Sequence, residues 1–178
     1  MRRANDAYYT PDDLAARLVG LLPLSDGDTV LEPHVGGGAF ARALRASGVG
    51  ALDGCDINLD AAGFEHCDVM RRGCNFLDAD VGYDWIIGNP PFKNAEAHVR
   101  HALDLAPNVA FLLRLAFLES RARIPFWAEH PAAKVWVLSQ RPSFTGGRTD
   151  SCAYGWFVWS RTHFGPTQLS VLDWKGGR

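Results

Sequence analysis

Residues 30–46 contain a short apolar strand, a glycine-rich loop and a helix in immediate succession. Val30 and Leu31 form the strand, the loop has three consecutive glycines, and Phe40 and Leu44 lie on one face of the helix that follows. Further strands and helices alternate along the rest of the chain. Such alternation is typical of a mostly parallel sheet with helices on both faces. The sequence therefore predicts a doubly wound α/β fold.

The other predicted elements agree with this fold. Thr10-Pro11-Asp12-Asp13 combines an N-cap, a proline at the first helical position and acids in the first turn, and begins a helix that ends near Pro23. Further helices are predicted at 95–105 and 124–129. Strands are predicted at 51–57, weakly at 74–77, and at 83–87, 109–118, 134–138, 154–159 and 169–172. No repeat or linker marks a second domain, so residues 1–178 are predicted to form one domain.

Composition narrows the class of protein. With 47% hydrophobic and 21% charged residues, the chain has the composition of an ordinary soluble protein. Its net charge of −2 means that any surface for nucleic acid must be a local patch. No apolar run reaches the roughly 20 residues needed to span a bilayer, and no leader suggests export. A cytoplasmic protein without a membrane partner is expected.

The cysteines and histidines do not predict a metal site. Four cysteines lack the close paired spacing of zinc ligands, and reduced thiols are the simplest expectation. His98 and His101 lie one turn apart on a predicted helix, but no third ligand lies near them in the sequence. They are expected on a solvated helix face.

Two features predict a nucleoside-containing ligand at the carboxyl ends of the first two strands. The glycines at 36–38 allow a sharp turn and a close approach to the backbone. Asp56 ends the next strand about 20 residues further on, where an acid can accept hydrogen bonds from both ribose hydroxyls. A dinucleotide loop would have the spacing G-x-G-x-x-G, which is not found here. A nucleotide-dependent oxidoreductase is therefore disfavoured.

The most specific feature is Asn89-Pro90-Pro91-Phe92, which follows the strand predicted at 83–87. Two prolines have fixed dihedrals and donate no hydrogen bonds, so the strand must end in a rigid turn. The Asn89 side-chain oxygen and the Pro90 carbonyl can together accept both hydrogens of an exocyclic base amine, which favours a pyramidal, nucleophilic nitrogen. Phe92 would stack on a base that is flipped out or single-stranded.

Taken together, these residues resemble the Rossmann-like S-adenosylmethionine-dependent adenine-specific (N6) DNA methyltransferases, particularly the short forms of phages and prophages. The resemblance extends over most of the chain in order. It rests on Ala7-Tyr8-Tyr9-Thr10-Pro11, Leu31-Glu32-Pro33, Gly36, Gly38, Asp56, Asn75-Phe76-Leu77-Asp78 and Asn89-Pro90-Pro91-Phe92.

The resemblance implies a three-layer class I methyltransferase fold, with a mostly parallel seven-stranded sheet that contains one antiparallel strand. It implies S-adenosylmethionine as the cofactor and no metal. The residues that it assigns to the donor are Tyr9, Thr10, Glu32, Pro33, Gly36, Gly38, Asp56, Ile57, Asp78 and Asn89. The residues that it assigns to catalysis are Asn89, Pro90, Pro91 and Phe92, and those beside the target base are Phe92, Lys93, Phe144 and Arg148.

The expected partner is DNA, single-stranded or with a flipped base. The sequence shows no separate target-recognition domain, so a partner subunit or a homodimer could supply specificity. Similar turns occur in methyltransferases for RNA bases and for protein glutamine side chains, which remain alternative acceptors. A binding module that keeps the fold without turnover is the alternative from another class.

Overall fold

The computed structural model describes residues 9–144 and 149–176. Its centre is one eight-stranded sheet in the order β3-β2-β1-β4-β5-β7-β6-β8. The strands are β1 (Thr29–Glu32), β2 (Ala51–Asp56), β3 (Val69–Arg72), β4 (Trp85–Gly88), β5 (Asn108–Arg114), β6 (Lys134–Leu138), β7 (Tyr154–Ser160) and β8 (Gln168–Leu172). The helices are α1 (Asp12–Val19), α2 (Ala39–Ser47), α3 (Ala95–Leu105) and α4 (Ile124–Glu129).

Only β7 runs against its neighbours, as it pairs antiparallel with both β5 and β6. The predicted class, a mostly parallel α/β sheet with one antiparallel strand, is confirmed. The expected number of seven strands is wrong, because β8 adds an eighth strand that pairs parallel with β6 at the outer edge.

Helices cover both faces of the sheet. Val30 and Leu31 are neighbours in β1, yet Val30 packs with α1 and α2 whereas Leu31 packs with α3. Trp156 and Phe157 divide in the same way in β7. Successive side chains of a strand point to opposite faces, so this division shows a core on each side of the sheet.

Two sequence-based element boundaries are corrected. The weak strand predicted at 74–77 is a short 3-10 turn at Phe76–Asp78, and the strand lies earlier, at Val69–Arg72. This strand is at the edge of the sheet and its side chains are largely exposed, so it lacks the apolar pattern that identifies a buried strand. The strand predicted at 109–118 ends at Arg114, and Leu115–Phe117 form a 3-10 turn at the edge of the sheet.

Tertiary structure also changes the expectation for two of the four thiols. Cys55 in β2 and Cys74 after β3 are joined as a disulfide, with their Cα atoms 5.6 Å apart. The two cysteines are far apart in the sequence, so the sequence alone did not indicate that they are close. They are close because β2 and β3 are neighbours in the sheet. Cys67 and Cys152 are free. No helix in the described part of the chain has the length and apolar character needed to cross a membrane.

The strand order places the candidate site. The parallel strands β1, β2, β4 and β5 have their carboxyl ends at one edge, and β1 lies between β2 and β4. The chain leaves β1 toward β2 and β3 and later returns to β4 on the other side of β1. A crevice forms outside the strand ends at such a reversal, and it is where ligands bind in open α/β sheets.

Candidate active site

A cleft of about 760 Å³ opens at the carboxyl ends of β1, β2 and β4. It brings together three separate sequence features: the glycine loop, the end of β2 and the Asn-Pro-Pro-Phe turn. The sequence-predicted residues that line it are Tyr9, Thr10, Glu32, Pro33, Gly36, Gly38, Asp56, Ile57, Asn89, Pro90, Pro91, Phe92 and Lys93.

The other three predicted site residues lie elsewhere. Asp78 lines a neighbouring cavity of about 330 Å³, and its Oδ2 atom accepts a hydrogen bond from Asn75 Nδ2 at 3.1 Å. Asn75 lines both cavities and so stands between Asp78 and the cleft. Phe144 is buried behind Phe92, with their ring centres 6.4 Å apart. Arg148 lies outside the described residues.

The glycine loop requires glycine for two reasons. Gly38 has a φ of 82°, in the left-handed region that side chains disfavour. A Cβ atom at Gly38 would also lie 2.6 Å from the Cα atom of Gly63. Gly36 approaches Tyr9 closely, since a Cβ atom there would lie 3.2 Å from the Tyr9 ring. The loop is thus a backbone surface with Tyr9 lying against it.

Asp56 is anchored to this loop. Its Oδ2 atom accepts a hydrogen bond from the Gly36 amide at 2.8 Å, and its Oδ1 atom accepts one from the Asn58 amide at 2.7 Å. Each carboxylate oxygen has a second lone pair, so Asp56 can hold the loop and still accept from ligand hydroxyls. The hydrogen bond to Gly36 couples the end of β2 to the loop after β1.

Glu32 at the end of β1 is the most unusual charge-bearing group of the cleft. Its side chain is 1% exposed, and its Oε2 atom has no hydrogen-bond partner among the described residues. Burial, with the nearby Asp56 carboxylate, raises the pKa of Glu32 well above its ordinary value. A backbone hydrogen bond from Ala41 and the charge of Arg42 partly offset this shift. A buried carboxyl oxygen without a partner is still costly, and a cationic ligand group would relieve that cost.

The Asn-Pro-Pro-Phe turn follows β4, whose four residues are all buried. The turn passes directly into a 3-10 turn at Phe92–Asn94 and then into α3. Asn89 Nδ2 donates a hydrogen bond to Thr10 Oγ1 at 3.2 Å. Thr10 lies in the segment before α1. The first and the last of the sequence motifs therefore meet at this hydrogen bond. This contact orients the Asn89 amide with its oxygen directed away from Thr10.

The cleft also contains a histidine pair that sequence reasoning missed. His34 lines the cleft, and its Nε2 atom lies 2.9 Å from His98 Nδ1. His98 is 6% exposed, so the expectation of a solvated helix face is wrong for this residue. Burial, and then the neighbouring His98, lowers the pKa of His34, while burial and then His101 lower the pKa of His98 to about 4. Both rings are therefore neutral, and one donates a hydrogen bond to the other.

An arginine that sequence reasoning also missed lies on Phe92. Arg114 ends β5, and its guanidinium carbon is 4.5 Å from the centre of the Phe92 ring. Arg114 Nε donates to the Tyr154 hydroxyl at 3.4 Å, and that hydroxyl donates to Asp150 Oδ2 at 2.9 Å. Arg114 and Tyr154 are directly opposite each other in the β5–β7 ladder. Register, which sequence alone does not show, creates this contact.

Comparisons with known structures identify the fold. The sequence matches no protein-family model and no curated protein. One similar structure, from Listeria monocytogenes, is described as a class I S-adenosylmethionine-dependent methyltransferase. It aligns with a TM-score of 0.70 at 14% identity, over 96% of this chain and 67% of that one. A protein assigned as an RNA methyltransferase in Pyrococcus horikoshii aligns with a TM-score of 0.69 at 15% identity, over 86% of each chain.

A third similar structure is a modification subunit of a type I restriction enzyme assigned in Vibrio vulnificus. It aligns with a TM-score of 0.68 at 17% identity, over 90% of this chain and 45% of that one. This chain therefore spans less than half of that subunit. The chain has the fold of the class I S-adenosylmethionine-dependent methyltransferases.

Proposed function

We propose that this protein is a methyltransferase that uses S-adenosylmethionine to methylate the exocyclic N6 amine of adenine in DNA. The observation that carries the proposal is the Asn89-Pro90-Pro91-Phe92 turn at the end of β4, which opens onto the same cleft as Glu32 and Asp56. The fold alone is compatible with many acceptors, so the residues of the site must support the function.

The cleft fits the methyl donor. Its volume of about 760 Å³ lies in the range of small-molecule sites. The buried Oε2 atom of Glu32 suits the donor's ammonium group, and Asp56 suits its ribose hydroxyls. S-adenosylmethionine, when bound, supplies a methyl group that its sulfonium has already activated. The protein itself then has chiefly to hold the acceptor nitrogen in line.

Asn89 and Pro90 would hold that nitrogen. The Asn89 oxygen and the Pro90 carbonyl accept the two amine hydrogens, which localises the nitrogen lone pair and directs it into the cleft. The hydrogen bond from Asn89 Nδ2 to Thr10 Oγ1 engages the amide nitrogen, so the amide oxygen is the atom of Asn89 that would accept from the amine. Phe92, half-buried beside the turn, would stack on the flipped or single-stranded base.

The charges at this edge of the sheet support an anionic acceptor. Four cations lie at or after the carboxyl ends of β4, β5 and β6 and therefore share one edge, although the whole chain is slightly acidic. None of them forms an ion pair with a carboxylate in the described ranges. They are Lys93, Arg114, Arg121 and Arg141. Nucleic acid phosphates would neutralise them.

An RNA base is the second candidate acceptor. The same turn and the same cations suit an adenine in either nucleic acid, and one of the similar structures is assigned as an RNA methyltransferase. A protein glutamine would not use the unpaired cations. DNA stays the first candidate because the short motifs of the sequence, above all Asn89-Pro90-Pro91-Phe92, resemble those of the adenine-specific DNA methyltransferases.

The test is to incubate the purified protein with S-adenosylmethionine labelled on its methyl group and with unmethylated DNA, RNA or protein. Each polymer is then hydrolysed and the labelled product identified, with Asn89→Ala as the control. N6-methyladenine from DNA alone is the expected result. Label in RNA alone would transfer the assignment to RNA, and label only in protein would overturn the nucleic-acid assignment.

A further inference from the structure

Arg114 is a permanent charge in a half-buried position, and no carboxylate of residues 9–144 and 149–176 forms an ion pair with it. The only hydrogen bond of its side chain within the described part of the chain is the one from Nε to the Tyr154 hydroxyl. Its charge also lies over the Phe92 ring, at 4.5 Å from the ring centre. These contacts use Nε and the guanidinium face, and they leave both Nη groups for another partner.

Other arginines nearby are used differently. Arg100 forms ion pairs with Glu96 and Glu129, and Arg123 pairs with Glu96 and donates to three backbone carbonyls. Their charges are neutralised within the protein. Arg114 forms no ion pair with a carboxylate of the described residues, although the nearby Asp150 carboxylate, which accepts from the Tyr154 hydroxyl, attracts its charge. Tyr154 and Asp150 stabilise the charged form of Arg114, but no direct ion pair offsets its partial burial, and a ligand anion would supply one.

The guanidinium is also held in one orientation. Phe92 packs against its face, Tyr154 fixes Nε, and Phe144 packs edge-on against Tyr154 at 5.0 Å. A planar guanidinium with two free Nη groups matches two oxygens of one phosphate. Because Phe92 is the residue proposed to stack on the target base, the anion nearest to Arg114 would belong to the nucleotide that carries this base.

We infer that Arg114 binds a phosphate of the acceptor nucleic acid next to the target base, with Phe92, Tyr154 and Asp150 holding its guanidinium in place. The inference rests on the proposed nucleic-acid acceptor and adds the residue that recognises it. Arg114 is a binding residue for the acceptor, and it contacts neither Glu32 nor Asp56 of the donor pocket.

The test compares Arg114→Gln and Arg114→Lys with Arg17→Gln. Arg17 is an exposed arginine of α1 away from the cleft. Arg17→Gln therefore removes the same charge as Arg114→Gln at a position where no contact with the acceptor is expected. Fluorescence anisotropy measures the Kd of labelled single-stranded oligodeoxynucleotides and oligoribonucleotides at several salt concentrations. Calorimetry with S-adenosylmethionine and thermal unfolding show whether donor binding and folding are intact.

We expect Arg114→Gln to raise the oligonucleotide Kd about tenfold or more, because a charge-assisted hydrogen-bonded contact is lost. The slope of log Kd against log salt should fall by about one, while donor affinity stays unchanged. Arg114→Lys should keep the slope, since it keeps the charge, and should lose part of the affinity with the planar contact. Arg17→Gln should change Kd and slope little.

The two ways of failing are distinguishable. If the wild-type protein binds neither oligonucleotide, both the proposed acceptor and the Arg114 assignment are overturned. If the wild type binds and Arg114→Gln behaves like Arg17→Gln, the Arg114 assignment alone is wrong. A higher Kd with an unchanged salt slope would mean that Arg114 acts only by supporting Phe92. That result would also overturn the phosphate contact.

Discussion

The two sides of the cleft are lined by different kinds of chemical group. The donor side consists of backbone and strand-end carboxylates: the glycine loop, Asp56 bound to the Gly36 amide, and the buried Glu32. The acceptor side consists of aromatic rings and an arginine: Phe92, Phe144, Tyr154 and Arg114. The first side suits one small, unchanging ligand, whereas the second suits a flat base and a phosphate. Each variant below should therefore affect one side and spare the other.

The largest effect on turnover is expected from Asn89, which lies between the donor side and the acceptor side. Asn89→Ala should lower turnover about a hundredfold or more, because it removes the oxygen that in the proposed mechanism accepts from the amine in the transition state. Donor affinity, measured by calorimetry, should stay close to that of the wild type. An equal loss of donor binding and turnover would show that Asn89 is structural and that the boundary is misplaced.

Asp56→Ala tests the donor side. It should weaken donor binding about tenfold to a hundredfold, because it removes the ribose acceptor and frees the Gly36 amide that positions the loop. Affinity for an oligonucleotide without donor should not change. Asp56→Asn, which keeps one acceptor oxygen, is the matched control and should lose less. Normal donor affinity in Asp56→Ala would contradict the ribose assignment.

Glu32→Gln tests the charge on the donor side, with an expected loss of about tenfold in donor affinity above neutral pH. Because burial and Asp56 raise the pKa of Glu32, the carboxyl group of the free protein holds its proton above its ordinary value of 4.5. The donor ammonium favours the ionised form, so wild-type affinity should increase as pH rises through the raised pKa. Calorimetry in buffers of different ionisation enthalpy should show proton release on binding, which Glu32→Gln should abolish.

The same raised pKa has a consequence for stability. Above pH 4.5 the folded protein holds more protons at Glu32 than the unfolded chain does. The free energy of unfolding contributed by this group therefore falls as pH rises toward the raised pKa. Glu32→Gln should unfold at a higher temperature than the wild type above neutral pH and without donor. A lower unfolding temperature would mean that Glu32 has a partner that stabilises its charge.

The smallest effect is expected from Thr10→Ala, which removes the hydroxyl that accepts from Asn89 Nδ2. Loss of one neutral hydrogen bond of about 1 kcal/mol should lower turnover about fivefold. Thr10→Ser keeps the hydroxyl and should restore most of the rate. If Thr10→Ser is as slow as Thr10→Ala, the hydroxyl is not what positions the Asn89 amide.

Local pattern was sufficient for the parts of the molecule that depend on neighbours in sequence. The glycine loop needs a residue with positive φ at Gly38, and the turn after β4 needs two prolines, so both can be recognised in the sequence. The alternation of buried strands with amphipathic helices predicts the α/β class for the same reason. The edge strand Val69–Arg72 escaped this reasoning because it is mostly exposed and has no buried face.

Contacts between distant residues were decided only by the tertiary structure. Arg114 meets Phe92 and Tyr154 because β5 lies between β4 and β7 and in a particular register, and a shift of one residue would turn Arg114 to the other face. His34 meets His98 because α3 packs beneath the end of β1. The sequence thus determined by itself which local elements form, including the glycine loop after β1 and the Asn-Pro-Pro-Phe turn after β4. Strand order and register decided which distant side chains meet at the cleft, because those contacts depend on how the elements pack and not on their order in the sequence.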